Sequence, residues 1–272
     1  MTICSVRSNQ LEPIREMFPN SVYWQARTGQ ADVFGLQDDN GVLQAVMAAE
    51  LRGLATRLLW LWVAPDYRRQ GLGRMLLLTL MANGHAAGTN WLEADFPMDG
   101  NLEMSSLMIS LNAPFRRIGS LYTTTLGEVE LSRLERHVRQ AVGTPLGQAD
   151  PQQKKDALRM LRTQGMPAYS APVAQCYDSD LSRLYFHGGA LRAMLLIEAG
   201  AHLCVSYLWC EKEWSYILPG LLVCCLRAAR ERYPADTELY TGTIAESASR
   251  LSDTFLPKAK KTFVFRYRLP IS

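Results

Sequence analysis

The sequence contains no apolar stretch long enough to cross a bilayer, because Arg, Asn or Glu interrupts each of the longest runs. Its first residues, Met1–Arg7, lack the apolar segment of a secretory signal. The net charge is only +3, and the basic residues form no long runs, which argues against a nucleic-acid-binding surface. We therefore predict a cytoplasmic protein that binds neither membranes nor nucleic acid.

Paired cysteines are absent as well. None of the six cysteines forms a Cys-x-x-Cys pair, and the four histidines do not cluster with them, so we expect no metal site. Most of the cysteines have apolar neighbours, which predicts reduced, buried thiols, while a catalytic Cys–His pair stays open as an alternative. The cysteines are Cys4, Cys176, Cys204, Cys210, Cys224 and Cys225.

Apolar residues, in contrast, are plentiful. The chain has 272 residues, of which 48% are hydrophobic and 20% are charged. This composition is typical of packed globular domains and differs from that of disordered chains. The length suits one large domain or two ordinary ones.

The most informative segment is an apolar run, Leu58–Val63, followed by Pro65, a turn rich in arginine and glycine, and a second apolar stretch. This order predicts a buried strand that leads through a glycine loop into a helix. The first N–H groups of a helix have no intrahelical partner and favour an anion. Gly71 and Gly73 would let a phosphate approach the main chain, and three arginines add positive charge nearby: Arg68, Arg69 and Arg74.

The loop is neither a dinucleotide-binding Gly-x-Gly-x-x-Gly, because Leu76 replaces the third glycine, nor a P-loop, which needs Gly-Lys-Ser/Thr. It resembles the pyrophosphate loop of the GNAT superfamily of N-acetyltransferases, Arg/Gln-x-x-Gly-x-Gly/Ala, over Arg68–Gly73. A surface turn with chance arginines is the alternative.

The resemblance implies acetyl-CoA, or another acyl-CoA, as co-substrate. Main-chain N–H groups of the loop would hold the pyrophosphate, and the strand before it would pair with the pantetheine arm. The implied cofactor-binding residues are Trp62, Val63, Arg68, Arg69, Gln70, Gly71, Leu72, Gly73 and Arg74.

An internal repeat appears when the chain is compared with itself at an offset of 147 residues. Strand-like and helix-like segments then align in the same order, up to the closing strands, Ile118–Thr125 and Phe265–Ser272. We predict an α+β fold of two tandem GNAT-like domains, 1–142 and 143–272, each a mixed central sheet flanked by helices. Coincidence of common element spacings is the alternative.

The second copy lacks the anion-binding residues. At the same offset, Ser215 and Tyr216 replace the first two arginines, and Leu218 and Pro219 replace Gly71 and Leu72. Leucine fills the space for a phosphate, and proline has no N–H to donate. We therefore expect a degenerate domain without a CoA loop.

The predicted strand Trp91–Phe96 places Glu93 and Asp95 on one face. The resemblance implies that the thioester lies between this strand and the strand before the loop. Either carboxylate is then a candidate catalytic residue, as a base or as an anchor for a cationic substrate. Glu50 is a third candidate. In the alternative, all three carboxylates are structural and pair with arginines such as Arg57 or Arg117.

One departure from the family concerns the acid that protonates the leaving thiolate. The family often uses a tyrosine on a later helix, and alignment on Phe115 places Ser110 at that position. A serine hydroxyl is too short and too weakly acidic for this role. Water, another residue such as Tyr122, or a loss of catalysis remain open.

These features predict an acyl-CoA-dependent N-acyltransferase. An amine of a small molecule, an amino-acid derivative or a peptide would attack the thioester directly, with acetyl-CoA as the default donor. A non-catalytic acetyl-CoA-binding sensor is the alternative. The sequence leaves the oligomeric state and the acceptor open.

Overall fold

The computed structural model describes residues 1–97, 102–138, 143–163, 174–243 and 246–271. The strands are β1 Thr2–Ser5, β2 Asp32–Gln37, β3 Leu43–Arg52, β4 Ala55–Val63, β5 Trp91–Pro97, β6 Phe115–Thr125, β7 Thr144–Pro145, β8 Arg183–His187, β9 Ala190–Ala199, β10 Leu203–Cys210, β11 Glu238–Thr243 and β12 Lys260–Pro270. The α-helices are α1 Asn20–Arg27, α2 Leu72–Ala86, α3 Leu102–Ser110, α4 Leu131–Glu135, α5 Pro151–Thr163, α6 Leu218–Arg232 and α7 Glu246–Phe255. None of the helices in these ranges has the length and apolarity needed to cross a membrane.

The chain forms two compact units. The first comprises Met1–Ile118 and returns for Val264–Ser272, and the second comprises Gly119–Phe263. The predicted boundary between 142 and 143 falls beside residues 139–142, which lie outside the described residues.

The first unit contains a mixed sheet in the order β1-β2-β3-β4-β5-β12, in which β4 and β5 run parallel and the other neighbours antiparallel. Helices α2 and α3 cover one face, where Leu76, Leu77 and Met108 are buried against the sheet. Helix α1 packs on the opposite face through Val22 and Tyr23. Because both faces are covered, β3 is almost continuously apolar instead of alternating.

The second unit repeats this arrangement with the strand order β6-β11-β10-β9-β8-β7. Strands β10 and β11 run parallel, and their neighbours run antiparallel. Helix α6 takes the place of α2, and its residues Leu221, Leu222 and Leu226 are buried in the core of this unit. The predicted fold class, a mixed sheet flanked by helices in two tandem copies, is therefore confirmed.

At the predicted offset of 147 residues, the two sheets share an irregularity at matching positions. Strand β4 carries one extra residue, Leu59, directly after Leu58, and β10 carries the extra residue Ser206 directly after Val205. A bulge of this kind twists a strand and ends its regular pairing. Both copies therefore keep the same distortion in the middle strand, although few residues are identical.

The two closing strands are exchanged between the copies. The β6 segment Ser120–Thr125 follows the first copy along the chain, but it pairs with β11 in the second unit. The β12 segment Val264–Pro270 comes at the end of the chain and pairs with β5 in the first unit. The two compact units consequently differ from the two consecutive copies, 1–142 and 143–272, that the repeat predicts.

Candidate functional site

Strands β4 and β5 separate where the resemblance places the thioester. They pair in parallel from Ala55–Trp91 to Leu58–Ala94, and no pairing between them follows in the described residues. The separation begins at the bulged residue Leu59. One edge of the later part of β4 is therefore left without a strand partner, and a ligand can use its main-chain groups.

Trp62 and Val63 lie in this last part of β4. On the other edge they remain paired with β3, opposite Val46 and Ala45. Both side chains are half-buried. This position suits their predicted role, in which the main chain would pair with the pantetheine arm like an added strand.

The loop after β4 enters helix α2 through left-handed backbone. Arg69 has a φ of 62°, and Gly71, immediately before the helix, has a φ of 84°. An L-residue adopts this conformation at a cost, whereas glycine does so freely. A Cβ at position 71 would meet nothing within 4 Å, so the protein has space for a side chain there. Glycine is therefore favoured at this position by its backbone conformation and not by a lack of space.

Gly73 differs from Gly71. It lies inside the first turn of α2, and a Cβ there would come within 3.4 Å of Leu61, 3.6 Å of Leu107 and 3.8 Å of Val63. These are ordinary van der Waals distances. A small side chain at this position would therefore fit against β4 and α3.

The N-terminus of α2 is uncapped. In this described part of the chain, no side chain caps the helix and its first turn contains no acidic residue. The first N–H groups and the helix dipole therefore lie beside a loop with a net positive charge. That charge comes from exposed arginines, Arg68, Arg69 and Arg74; the neutral Gln70 is exposed beside them, and Leu72 is buried.

Two side-chain bonds to the main chain hold the loop in shape. Arg68 Nε donates to the Val63 carbonyl at 3.1 Å, and Gln70 Nε2 donates to the Asp66 carbonyl at 3.1 Å. Arg68 still has the two Nη groups to offer to an anion. The loop thus presents main-chain donors and arginine donors on one exposed turn.

The second unit has no such loop. A short helical turn, Lys212–Ile217, runs directly into α6, and Leu218 already has helical dihedrals, φ −56° and ψ −43°. Pro219 occupies the first turn of α6. The left-handed entry and one donor N–H are therefore missing at this point of the second unit, and the degenerate second copy stays a prediction.

Glu93 and Asp95 lie on the face of β5 opposite to α2, and each pairs with an arginine of β12. The Asp95 side chain is 3% exposed and accepts two bonds from Arg266, Nε to Oδ1 at 2.7 Å and Nη2 to Oδ2 at 2.7 Å. These bonds raise the pKa of Arg266. Glu93 lies 3.3 Å from Arg268 Nε. Arg57, an arginine named from the sequence, lies directly opposite Glu93 in the β4–β5 pair, and burial lowers its pKa against the smaller, opposing effect of the Asp95 charge.

These pairs follow from register. Arg266 is directly opposite Asp95, and Arg268 is directly opposite Glu93, in the antiparallel β5–β12 pair. Directly opposite residues have neighbouring Cβ atoms, so opposite charges stabilise the pairing. Only the exchange of the closing strands brings these arginines to β5, and no local sequence pattern predicts that exchange.

Glu50 and Arg57 form a further cross-strand pair on the same face, with Arg57 Nη1 and Glu50 Oε1 3.6 Å apart. Burial raises the pKa of Glu50, against the opposing effect of Arg57. Burial also lowers the pKa of Arg57. Glu50 therefore has the structural partner that its alternative interpretation proposed.

Ser110, at the position of the family's tyrosine, and Tyr122, the alternative acid named from the sequence, both have hydrogen-bond partners. Ser110 is exposed at the end of α3, and its hydroxyl donates to the Leu107 carbonyl at 2.7 Å. Tyr122 belongs to the second unit, where its hydroxyl lies 2.8 Å from Asp253 Oδ1 and 2.7 Å from Ser249 Oγ. A residue of the first unit that sequence reasoning missed, Tyr267, lies close to the strand separation.

Comparisons with known proteins agree with this geometry. Residues 29–103, which lie in the first unit, match the family model of the acetyltransferase (GNAT) domain. No curated protein sequence matches the chain.

Solved structures share the fold over the whole chain. A tandem GNAT protein from the clavulanic acid biosynthesis pathway has a TM-score of 0.64 at 13% identity, covering 100% of this chain and 98% of that one. A putative acetyltransferase from Pyrococcus horikoshii has a TM-score of 0.60 at 12% identity, covering 100% and 89%. A GCN5-related N-acetyltransferase from Sphaerobacter thermophilus has a TM-score of 0.56 at 12% identity, covering 99% and 95%.

Residues 29–103 of the first unit are thus similar to the GNAT acetyltransferase domain. The chain as a whole has the tandem GNAT fold. The family and the fold support acetyl transfer in general and leave the acceptor open.

Proposed function

We propose that this protein is an N-acyltransferase that transfers the acetyl group of acetyl-CoA to a primary amine of a small molecule, an amino-acid derivative or a peptide. The observation that carries this proposal is the left-handed Gly71 at the uncapped start of α2. It lies on an arginine-rich turn that follows a strand with a free edge. Each of these features suits a different part of one ligand, the pyrophosphate and the pantetheine arm.

The first unit would hold acetyl-CoA by its main chain. The N–H groups from about Arg69 to Arg74 would bind the pyrophosphate, and the side chain of Arg68 would add a charge-assisted bond. The free edge of β4 at Trp62 and Val63 would bind the pantetheine arm. An amine held beside the separation of β4 and β5 then attacks the thioester carbon, forming a C–N bond as the C–S bond breaks.

Glu93 and Asp95 are proposed to attract the cationic acceptor. Both are fixed by ion pairs with β12, so an incoming ammonium group would compete with Arg268 or Arg266 for them. Competition of this kind favours an electrostatic anchor over a freely available base. Removal of the amine proton would then fall to water or to one of these carboxylates after its ion pair opens.

Calorimetry and a thiol assay test the proposal with the purified chain. We expect acetyl-CoA to bind with one molecule per chain, because the second copy lacks the loop. We also expect a free thiol to be released when a panel of amino acids, amino sugars and aliphatic diamines is added. Absence of heat at millimolar acetyl-CoA would refute the site.

The same two measurements separate the enzyme from the acetyl-CoA sensor. The exposed Ser110, in place of the family's tyrosine, is the observation that favours the sensor. Tight binding of acetyl-CoA without thiol release in the presence of any of the amines would support the sensor and contradict the enzyme. Binding followed by amine-dependent release would support the enzyme.

A further inference from the structure

The proposed reaction needs a proton for the leaving thiolate, which a serine at position 110 is unsuited to supply, and Tyr122, the residue that sequence reasoning offered, has hydrogen-bond partners in the second unit. Ser110 is exposed and bonded to the main chain of its own helix. Tyr122 is bonded to Asp253 in the second unit. The inference that follows rests on the proposed function, because the leaving group exists only if acetyl-CoA is the donor.

Tyr267 lies on β12, on the far side of β5 from β4, level with the point where β4 and β5 separate. It is directly opposite Ala94 in the β5–β12 pair, and Ala94 is the last residue of β5 that pairs with β4. Its ring stacks on Phe96, the next residue of β5 on the same face, with ring centroids 4.6 Å apart and an interplanar angle of 6°. Phe115 also lies against the ring, with centroids 5.2 Å apart, so the ring packs with Phe96 of β5 and with Phe115.

The same side chain faces the layer between the sheet and helices α2 and α3. Tyr267 shares a core cluster with Leu58, Ala94, Phe96 and Met108. Helix α2 carries the candidate pyrophosphate loop at its start, so a pantetheine arm that leaves this loop toward the strand separation approaches on the side of Tyr267.

The Tyr267 hydroxyl is buried and unpaired within the part of the chain that the structure describes. The residue is 1% exposed, and its hydroxyl has no hydrogen-bond partner among the described residues. Ser105 on the inner face of α3 has a buried hydroxyl in the same condition. A buried phenol without a partner is costly and rare, and a polar group of a bound ligand would remove that cost.

We propose that Tyr267 is the general acid of the transfer and protonates the sulfur of coenzyme A. When the amine nitrogen bonds to the acetyl carbon and the C–S bond breaks, the electron pair goes to sulfur, and the phenol proton moves to that sulfur. The proton that the attacking ammonium group loses then restores the phenol through water. The closing strand exchanged into the first unit would in this way supply what the position of Ser110 lacks.

The test is Tyr267→Phe in the full-length protein. The change removes only the hydroxyl and keeps the ring that stacks on Phe96, so we expect a melting temperature equal to the wild type or higher. We expect the affinity for acetyl-CoA to stay within twofold, and kcat for thiol release to fall by about a hundredfold, as is typical for loss of a general acid.

Tyr122→Phe is the matched control. It removes the same hydroxyl from the other closing strand, where that hydroxyl is bonded to Asp253 and Ser249. We expect a lower melting temperature and an unchanged kcat. A purely structural tyrosine behaves in this way, whereas a general acid lowers kcat without loss of stability.

The outcomes separate the two proposals. Turnover by the wild type together with a kcat of Tyr267→Phe within threefold of it would overturn the role of Tyr267 and leave the proposed function standing. A large fall in kcat for Tyr122→Phe alone would overturn it as well, in favour of Tyr122. If the wild type binds acetyl-CoA but releases no thiol, whether amines are present or only water, both proposals are wrong.

Discussion

Replacing Gly71 by leucine gives the first copy the residue that the second copy has at the matching position, Leu218. The substitution acts through the backbone and through the space in front of it. Gly71 has a φ of 84°, and a Cβ there points into open space. The folded protein can therefore accept the side chain, but that side chain occupies the region where a phosphate would approach the first turn of α2.

The substitution therefore has two costs of different size, one in the stability of the fold and one in the affinity for acetyl-CoA. A left-handed L-residue costs about 1–2 kcal/mol of unfolding free energy. For a chain of this size, that cost lowers the melting temperature by about 2–8 °C. The loss of two main-chain bonds to a charged phosphate is larger, about 3–6 kcal/mol, or at least a hundredfold in the dissociation constant.

The assay is calorimetric titration with acetyl-CoA beside a thermal melt, and Gly53→Leu is the matched control. Gly53 lies in the turn between β3 and β4 with a φ of 60° and nothing near its Cβ position. It should lose similar stability and keep its affinity. If Gly71→Leu binds acetyl-CoA as tightly as Gly53→Leu, the loop assignment is wrong.

Other substitutions and reagents probe the remaining features. Arg68→Ala should weaken acetyl-CoA binding by about 1–3 kcal/mol through loss of a charge-assisted bond, measured by calorimetry; an unchanged affinity would exclude this arginine from the site. Asp95→Asn should lower the unfolding free energy in urea by about 1–3 kcal/mol, because Arg266 loses its charged partner, and should slow thiol release with little change in acetyl-CoA affinity. Equal turnover by this variant would remove Asp95 from the mechanism. Burial raises the pKa of the Cys176 and Cys225 thiols, so both should react with an aromatic disulfide at pH 8 at least tenfold more slowly in the folded protein than in guanidinium. Reaction of both thiols at the unfolded rate would contradict their buried placement.

Sequence alone was sufficient for the features that depend on neighbouring residues. One short stretch of chain contains the strand that ends at Val63, the glycine turn and the start of α2. The residue type at each position there is determined by the local dihedral angle, charge or burial. The repeat could be found because order and spacing of elements survive even when Leu58 and Val205 share only their apolar character. Leu218 and Pro219 marked the degenerate loop for the same local reason.

Tertiary structure alone decided which strands pair across the two copies. The chain order of β6 and β12 gives no sign that they are exchanged. The main chain of either strand can form the hydrogen bonds that the neighbouring strand of either copy needs. Choice of partner then sets the surroundings of residues far apart in the sequence. It pairs Asp95 with Arg266 and places Tyr267 beside Ala94, whereas local pattern can state only which face of a strand each side chain occupies.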